Sequence, residues 1–271
     1  MSYRSVKTRW RIVGIDWPQQ LWGDVPNGFK RISLDRRRVV MVRDGFERYL
    51  CQENFLGQPE PGKGLVLYGR EKLDRISLNG GQTALVRTYR HGGLVRHLTG
   101  YFFFSWPPRP FKELAVTEEA RQRGISTLEV LGARVERVWG PFYRGWLVTR
   151  ELEESNHFWG ALRNGRYGNG DRPPLLRSVA ECICQMHRRG LFHADLNLKN
   201  ILVRREAGAI KSYVIDLDKA KLFPREVPRG RARKNLHRLF RSARKLDPLR
   251  RYFPVEDWEL FVRFYAEAGC R

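Results

Sequence analysis

The first half of the chain, from about residue 28, alternates short apolar runs with turn residues, which is the pattern of β-strands. β-branched and aromatic residues recur in four segments, RRVVMV (37–42), KGLVLY (63–68), DRISLNGGQTALVRTY (74–89) and RVERVWGPFYRGWLVTREL (134–152). The NGG sequence at 79–81 is typical of a hairpin turn, because glycine adopts positive φ at no steric cost. We therefore predict a twisted antiparallel sheet.

Helical patterns interrupt this sheet and then replace it. The segment FKELAVTEEARQRG (111–124) is acidic early and basic late, as the helix dipole favours, and Gly124 is a typical helix stop. A buried helix that begins with Pro173 and Pro174 is predicted, with Asp171 as its N-terminal cap, and it is expected to end at Gly190. Its apolar residues recur at helical spacing: Leu175, Leu176, Val179, Ala180, Ile183 and Met186.

A third helix is predicted in RARKNLHRLFRSARKL (231–246), where basic residues surround one apolar stripe. The stripe consists of Leu236, Leu239, Phe240, Ala243 and Leu246. The chain as a whole is predicted to have an α+β fold in which a sheet-rich lobe precedes a helix-rich one. We place an N-terminal extension at 1–27, the first lobe at 28–152 and the second lobe, with the basic helix, at 153–271.

Composition narrows the partners of this fold. The chain has 271 residues, of which 42% are hydrophobic, and can bury a substantial core. Its net charge of +22 favours a polyanionic partner such as nucleic acid, anionic lipid headgroups or phosphorylated sugars. The apolar runs are shorter than a membrane span and the basic N-terminus lacks the apolar core of a signal peptide, so a soluble or peripheral protein is expected.

Cysteine usage points to a reducing compartment. The four cysteines are too few and too scattered for a disulfide framework, and two of them form a C-x-C pair on different faces of a predicted helix. They are Cys51, Cys182, Cys184 and Cys270. We expect reduced thiols in a cytosolic protein.

The stretch HADLNLKN (193–200) carries the candidate chemistry. Phosphoryl transfer needs Mg²⁺ held by hard oxygen ligands and a group near the attacking hydroxyl that accepts its proton. Asp195 suits the second role, while the amide oxygen of Asn200 and the carboxylate of Asp216 suit the metal. His193, grouped with Asp195 as a catalytic candidate, is expected to brace the loop rather than transfer protons. A capped turn with solvated acids would not explain this spacing.

These residues resemble a known superfamily. HADLNLKNILV (193–203) and VIDLDKA (214–220) are similar to the catalytic and metal-binding loops of protein-kinase-like enzymes. The nearest resemblance is to the lipopolysaccharide kinases, especially the 3-deoxy-D-manno-octulosonic acid (Kdo) kinases. It covers residues 28 to 246 and includes LVRTYRHGGLVRHL (85–98), RPFKE (109–113), FYRGWLVTREL (142–152) and KNLHRLFRSARKL (234–246). The resemblance implies a two-lobed kinase-like fold with ATP and Mg²⁺ bound between the lobes.

The resemblance also implies nucleotide contacts. ALVR (84–87) takes the place of the strand that normally ends in a phosphate-binding lysine, so Arg87 is the candidate contact, although arginine differs from lysine in reach. Glu113 is expected to pair with Arg87, with Glu118 and Glu119 as rivals. The alternative for all three acids is that they are favourable charges in the first turn of a helix. The nucleotide-covering loop is placed at LYGREKLDRIS (67–77), where Gly69 remains of the glycine-rich pattern.

Departures from protein kinases indicate the substrate class. Asn197 and Asp218 stand where many protein kinases have a lysine and a glycine. Asp218 is a candidate second metal ligand, with a solvated turn acid as the alternative. Only 55 residues follow Asp216, too few for a platform that grips a peptide. A small-molecule acceptor is therefore favoured over a protein.

The resemblance implies phosphorylation of a sugar hydroxyl of the lipopolysaccharide inner core. The 4-hydroxyl of Kdo on a lipid A precursor is the expected acceptor, at the cytoplasmic face of a Gram-negative inner membrane. A core heptose kinase and a phosphotransferase of the aminoglycoside or choline type are the alternatives. No obligate protein partner is inferred.

The positive charge is concentrated near the end of the chain. Twelve lysines and arginines lie between Lys221 and Arg251, against two acids, Glu226 and Asp247. Each basic residue near an anionic bilayer contributes about 1 kcal/mol, so peripheral attachment is expected. YFFFSWPP (101–108) either dips into the bilayer interface or packs on the protein. A nucleic-acid-binding protein would also be basic, but no sequence motif of a known nucleic-acid-binding module accompanies the charge. A non-catalytic kinase-like scaffold is the other alternative, and the intact Asp195, Asn200 and Asp216 argue against it.

Overall fold

The computed structural model describes residues 22–52, 66–68, 71–89, 102–139, 141–165 and 167–270. Most of the predicted N-terminal extension and the candidate Gly69 lie outside the described residues.

The first lobe is built on an antiparallel sheet, as predicted. Its described strands are β1 Phe29–Ser33, β2 Arg38–Arg43, β3 Val66–Tyr68, β4 Glu71–Ser77, β5 Thr83–Thr88, β6 Val130–Trp139 and β7 Phe142–Arg150. They are ordered β1-β2-β6-β7-β5-β4-β3. The β4–β5 hairpin turns at 79–81, where Gly80 and Gly81 have φ of 72° and 73°. The predicted NGG turn is confirmed.

The described residues of this lobe form two α-helices, α1 Glu47–Leu50 and α2 Arg109–Gln122. Pro110 lies in the first turn of α2, where its missing N–H costs nothing, and Gly124 ends the helix at a φ of 75°. Phe111 and Leu114 of α2 pack against the apolar face of the sheet. The predicted helix at 111–124 is confirmed.

The second lobe consists mainly of helices. They are α3 Phe158–Arg163, α4 Arg172–Arg188, α5 Arg229–Leu246 and α6 Val255–Glu267, and short strands lie between them: β8 Asn156–His157, β9 Leu191–Phe192, β10 Ile201–Glu206, β11 Ala209–Val214 and β12 Lys221–Leu222. Strand β10 pairs with β11 and β8, and β12 with β9. The predicted order of a sheet-rich lobe and a helix-rich lobe is confirmed. The exact boundaries at 27 and 152 stay predictions.

Helix α4 is the centre of the second lobe. Its predicted apolar stripe is buried, with Leu176, Val179 and Ile183 fully enclosed. Asp171 stands at its N-terminus as predicted, but its side chain makes no capping hydrogen bond. The carboxylate of Asp171 instead accepts a hydrogen bond at 2.7 Å from Arg205, a residue of β10. The acid that was expected to cap α4 therefore pairs with a neighbouring strand.

Helix α5 confirms the predicted basic amphipathic helix. Leu239 and Ala243 are buried, and Leu236, Phe240 and Leu246 pack partly buried against the same core. The cationic side chains are exposed. Among the described residues, no helix is both long and apolar enough to cross a bilayer.

The cysteine prediction is wrong for two of the four residues. Cys184 and Cys270 form a disulfide with their Cα atoms 5.7 Å apart, whereas Cys51 and Cys182 are free. The bridge joins α4 to the residues after α6. These partners are 86 residues apart in the chain, and they meet because α4 packs against α6, which cysteine spacing alone does not reveal.

The two lobes are joined by the chain that leaves β7 and by hydrogen bonds from the end of α2 and the residues after it to the second lobe. The hydroxyl of Thr127 donates to the backbone oxygen of Val214 at 2.6 Å, and the N–H of Val214 donates to Ser126 at 3.0 Å. The guanidinium of Arg123 donates to the backbone oxygen of Phe223 at 2.6 Å. These bonds hold the end of α2 and the residues that follow it against the second lobe.

Candidate active site

A cavity of about 250 Å³ lies between the two lobes. Its apolar walls come from the sheet on one side and from Leu202 and Ile215 on the other. The sheet side contributes Leu73, Leu85, Val130 and Leu147. Arg87, Glu113, Asn200 and Asp216 line the same cavity. Apolar walls with a few charged groups suit a ligand that has a flat base and a charged tail.

His193 begins the loop between β9 and β10 and is almost fully buried. Its Nδ1 accepts a hydrogen bond from the N–H of Asp195 at 3.2 Å, so this nitrogen carries no proton. Nε2 therefore donates to the backbone oxygen of Ile215 at 2.9 Å. Burial lowers the pKa of His193, which keeps the ring neutral. His193 thus ties Asp195 to the segment that leads into Asp216, the bracing role that was predicted.

Asp195 projects from this loop with an exposed side chain. Its backbone oxygen accepts hydrogen bonds from the side-chain amides of Asn197 and Asn200, both at 2.9 Å. With its nitrogen bound to Asp195, Asn200 has its side-chain oxygen left for another ligand. The loop therefore fixes the backbone of Asp195, while its carboxylate has no hydrogen bond or ion pair within the described parts of the chain.

Asp216 follows β11 and adopts a φ of 62°, a left-handed conformation that aspartate tolerates better than most residues. Its carboxylate accepts a hydrogen bond from Arg87 Nη1 at 2.7 Å. Burial opposes ionisation of Asp216, but the charge and hydrogen bond of Arg87 outweigh it, so the pKa of Asp216 is lowered. The group is an ionised oxygen donor.

Arg87 lies on β5 and also bonds to Glu113 of α2. The hydroxyl of Tyr89 donates to the same carboxylate and accepts from Arg87 at 3.1 Å. Burial raises the pKa of Glu113 to about 7, against the opposing pull of Arg87. The structure thus brings Glu113 to Arg87 as expected. Of the rivals, Glu118 pairs with Arg43 and Glu119 with Arg123.

Asp218 is bound to a residue that sequence reasoning did not single out. Both of its carboxylate oxygens accept hydrogen bonds from Arg109, the first residue of α2, through Nε at 3.1 Å and Nη2. The metal-ligand role of Asp218 stays a prediction, and in this structure both oxygens are engaged. The signal in the sequence was Asp218 itself, because an acid at a position where many protein kinases have glycine indicates that a cation such as Arg109 lies nearby.

Asn235 was also missed, although it supports the catalytic loop. This fully buried residue of α5 donates to the backbone oxygen of His193 at 2.6 Å and accepts from its N–H at 3.2 Å. Further along α5, Arg238 donates to the backbone oxygen of Ala194 at 2.5 Å and Ser242 accepts from the N–H of Leu198 at 3.2 Å. The spacing of 235, 238 and 242 places the three on one helix face.

The arrangement fits a magnesium nucleotide. Asn200 and Asp216 line the same cavity and offer an amide oxygen and a carboxylate oxygen. Mg²⁺ commonly takes one or two such protein ligands together with substrate phosphates. The two oxygen donors are thus of the type that Mg²⁺ binds, and the metal itself stays a prediction.

An antiparallel sheet lobe and a helical lobe, with these acids and Arg87 at the cleft between them, define a protein-kinase-like phosphotransferase. The chain belongs to the lipopolysaccharide kinase (Kdo/WaaP) family, whose family model matches residues 70–265.

Known proteins similar to this chain include two curated enzymes named 3-deoxy-D-manno-octulosonic acid kinase. The enzyme of Pasteurella multocida (strain Pm70) is 29% identical over 218 residues, 79% of this chain and 85% of its own length. The enzyme of Xylella fastidiosa (strain 9a5c) is 31% identical over 194 residues, 69% of this chain and 73% of its own. The predicted family resemblance is confirmed.

A solved structure of WaaP in complex with acyl carrier protein has the same fold. Its TM-score is 0.53 with 19% sequence identity, covering 84% of this chain and 88% of that chain. The predicted kinase-like fold is confirmed.

Proposed function

We propose that the protein is an ATP-dependent kinase that phosphorylates a sugar hydroxyl of the lipopolysaccharide inner core, namely the 4-hydroxyl of Kdo on a lipid A precursor. The observation that carries the proposal is the placement of Asp216, which lines both the interlobe cavity and the neighbouring cavity that holds Asp195. A phosphate held near Asp216 is thereby next to a carboxylate that can accept a hydroxyl proton. The names of the curated relatives support Kdo as the acceptor.

Each side chain has a distinct part in this reaction. Asn200 and Asp216 would hold Mg²⁺, which supplies charge neutralisation for the phosphates when bound. Arg87, positioned by Glu113, contacts the phosphates and gives up its bond to Asp216. Asp195 orients the acceptor hydroxyl and takes its proton at the carboxylate. His193 keeps Asp195 in register with the metal-binding segment.

We also propose that the protein works as a peripheral protein at an anionic surface, the cytoplasmic face of the inner membrane. Helix α5 contains no acidic residue. Its exposed cations are Arg229, Arg231, Arg233, Lys234, Arg238, Arg241, Arg244 and Lys245. Arg238 is bound to the catalytic loop, so the membrane charge comes from the other seven.

Exposed aromatic side chains of the first lobe are a second candidate for membrane contact. In the segment 102–108, Phe103 packs in the core at 2% exposure while Phe104 is 64% exposed. Phe104 contacts Phe142, which stacks on Trp139 with ring centroids 5.9 Å apart. Trp139 is 72% exposed. Exposed aromatic rings of this kind suit the headgroup region of a bilayer.

The test of the proposed function is a panel of acceptors. The protein is incubated with ATP and Mg²⁺ and with a Kdo-bearing lipid A precursor, a heptosylated core, an aminoglycoside or RNA. Mass spectrometry is then used to detect one added phosphate. We expect addition to the Kdo-bearing precursor, with the phosphate located on the 4-hydroxyl by fragmentation or NMR. Addition to the heptose or the aminoglycoside alone would contradict the choice of acceptor.

A further inference from the structure

A second cavity of about 140 Å³ lies beside the nucleotide cleft. It is lined by Arg87, Thr88, Tyr89, Arg109, Asp195, Asp216, Asp218 and Lys219. Arg87 and Asp216 are shared with the interlobe cavity, whereas Asp195 lines only the second one. If the nucleotide occupies the first cavity, the acceptor sugar enters the second.

The cavity is rich in charged groups, and most of them already have partners. Arg87 bonds to Glu113 and Asp216, and Asp218 holds Arg109. Lys219 is exposed and has no ion-pair partner among the described residues. Lys219 is therefore one cation of this cavity that remains to bind the acceptor.

Arg109 is held rigidly at the edge of the same cavity. Its Nε and Nη2 bond to Asp218, and its guanidinium carbon lies 5.0 Å from the ring centroid of Phe103 and 5.7 Å from that of Tyr89. Its backbone N–H donates to the hydroxyl of Tyr143 at 2.9 Å. Nη1 has no hydrogen-bond partner in the described part of the chain. A pre-positioned guanidinium with a spare donor loses little entropy when it binds an anion.

We propose that Arg109 and Lys219 bind a carboxylate of the acceptor sugar and so select an acidic sugar over a neutral or a basic one. The anion belongs to the reacting sugar itself, because Asp195, which takes the proton of the reacting hydroxyl, lines the same cavity as the two cations. A neutral sugar gives the two cations nothing to bind, and an aminoglycoside is repelled by them. This inference rests on the proposed function and adds a residue basis for its substrate class.

The test compares two acceptors that differ at one group, the carboxylate of Kdo, which is charged in one and esterified in the other. Initial rates are measured with the Kdo-bearing lipid A precursor and with the same compound after conversion of the Kdo carboxylate to its methyl ester, for the wild-type protein, Lys219→Gln and Arg109→Gln. Hydrogen bonds to charged groups lead us to expect the wild type to favour the acid about 10- to 100-fold in kcat/KM. Each variant should lose about tenfold of this preference, through a higher KM for the acid.

Controls separate this role from the others. Lys211→Gln, at an exposed lysine of β11 outside both cavities, should keep the preference. The KM for ATP should not change in Lys219→Gln. An equal loss of rate with acid and ester, or a raised KM for ATP, overturns the inference. If Arg109→Gln does not fold, Arg109→Lys replaces it in the rate measurements, and a thermal melting curve checks that this variant is folded.

Failure of the proposed function would look different. If the wild-type protein phosphorylates another carboxylated sugar instead of Kdo and the variants lose their preference for the acid, the choice of Kdo is wrong and the carboxylate site stands. If the sugar that is phosphorylated carries no carboxylate, the site is wrong.

Discussion

Asp195 and Asp216 are both aspartates at the edge of one cavity, yet their surroundings differ. Asp195 has an exposed side chain, while Asp216 is half-buried and paired with Arg87, which lowers its pKa. An ionised carboxylate beside a displaceable cation suits metal binding, and an unpaired one suits proton transfer. In the proposed mechanism the two acids therefore have different parts, Asp216 at the phosphates and Asp195 at the acceptor hydroxyl.

Asp195→Asn should reduce kcat about 10² to 10⁴-fold, because the amide cannot take the hydroxyl proton. Folding should be unaffected, since the side chain is exposed. Steady-state rates and a urea unfolding curve test both points. Asp171→Asn, the same change at an acid of the α4 N-terminus, is the matched control. Turnover of Asp195→Asn close to that of the control would remove Asp195 from the mechanism.

The pKa of Glu113 predicts a pH dependence. Because burial raises this pKa to about 7, the carboxylate is charged above pH 7 and protonated below it. Protonation weakens its hold on Arg87. We expect kcat/KM for ATP to fall as the pH drops below about 7. In Glu113→Gln the value should be lower at high pH and should lack this acid limb. If kcat/KM of Glu113→Gln fell with decreasing pH as in the wild type, the pH dependence would belong to a group other than Glu113.

At the scale of elements, α5 has two separate tasks. Its inner face holds the loop that contains Asp195 through Asn235, Arg238 and Ser242, and its outer face carries exposed cations. The apolar stripe of α5 could be predicted from spacing because burial follows the helical period. The role of Asn235 could not, because a polar residue on a buried face gains its meaning only from the loop it meets.

Asn235→Ala should lower both stability and turnover. The change leaves the N–H and the carbonyl of His193 buried without partners, which costs about 1 to 3 kcal/mol of unfolding free energy. Urea unfolding measures this loss. At a temperature where the variant is folded, kcat should fall while KM for ATP stays nearly constant, since the nucleotide walls are untouched. Asn164→Ala, at an exposed asparagine after α3, should change neither. A stability loss with normal kcat would make Asn235 purely structural.

At the scale of the whole molecule, the sequence predicted the fold better than it predicted the contacts between distant elements. The order of lobes, the NGG hairpin and the three helices followed from local periodicity. The Arg109–Asp218 pair and the Cys184–Cys270 bridge did not, because they join segments 109 and 86 residues apart. Asp195, Asn200 and Asp216 were recognised because their spacing belongs to a loop and a strand end that fold locally.

The distribution of charge over the molecule predicts binding to anionic membranes. Replacing Arg233, Arg241 and Arg244 by Gln should weaken binding to vesicles that contain phosphatidylglycerol and should flatten its salt dependence, since each residue contributes about 1 kcal/mol. Arg238 is kept because it bonds to Ala194. The control replaces three exposed arginines elsewhere, Arg36, Arg163 and Arg263. Equal weakening in both variants would indicate a general charge effect rather than an α5 surface.

The central claim is that the cleft holds a magnesium nucleotide between Arg87, Asn200 and Asp216 with Asp195 facing the terminal phosphate. A crystal structure with Mg²⁺ and a non-hydrolysable ATP analogue tests it most directly. We predict a metal bound by the oxygens of Asn200 and Asp216, with Arg87 moved from Asp216 to the phosphates. A nucleotide bound outside the cleft, or a metal that contacts neither Asn200 nor Asp216, would contradict the account.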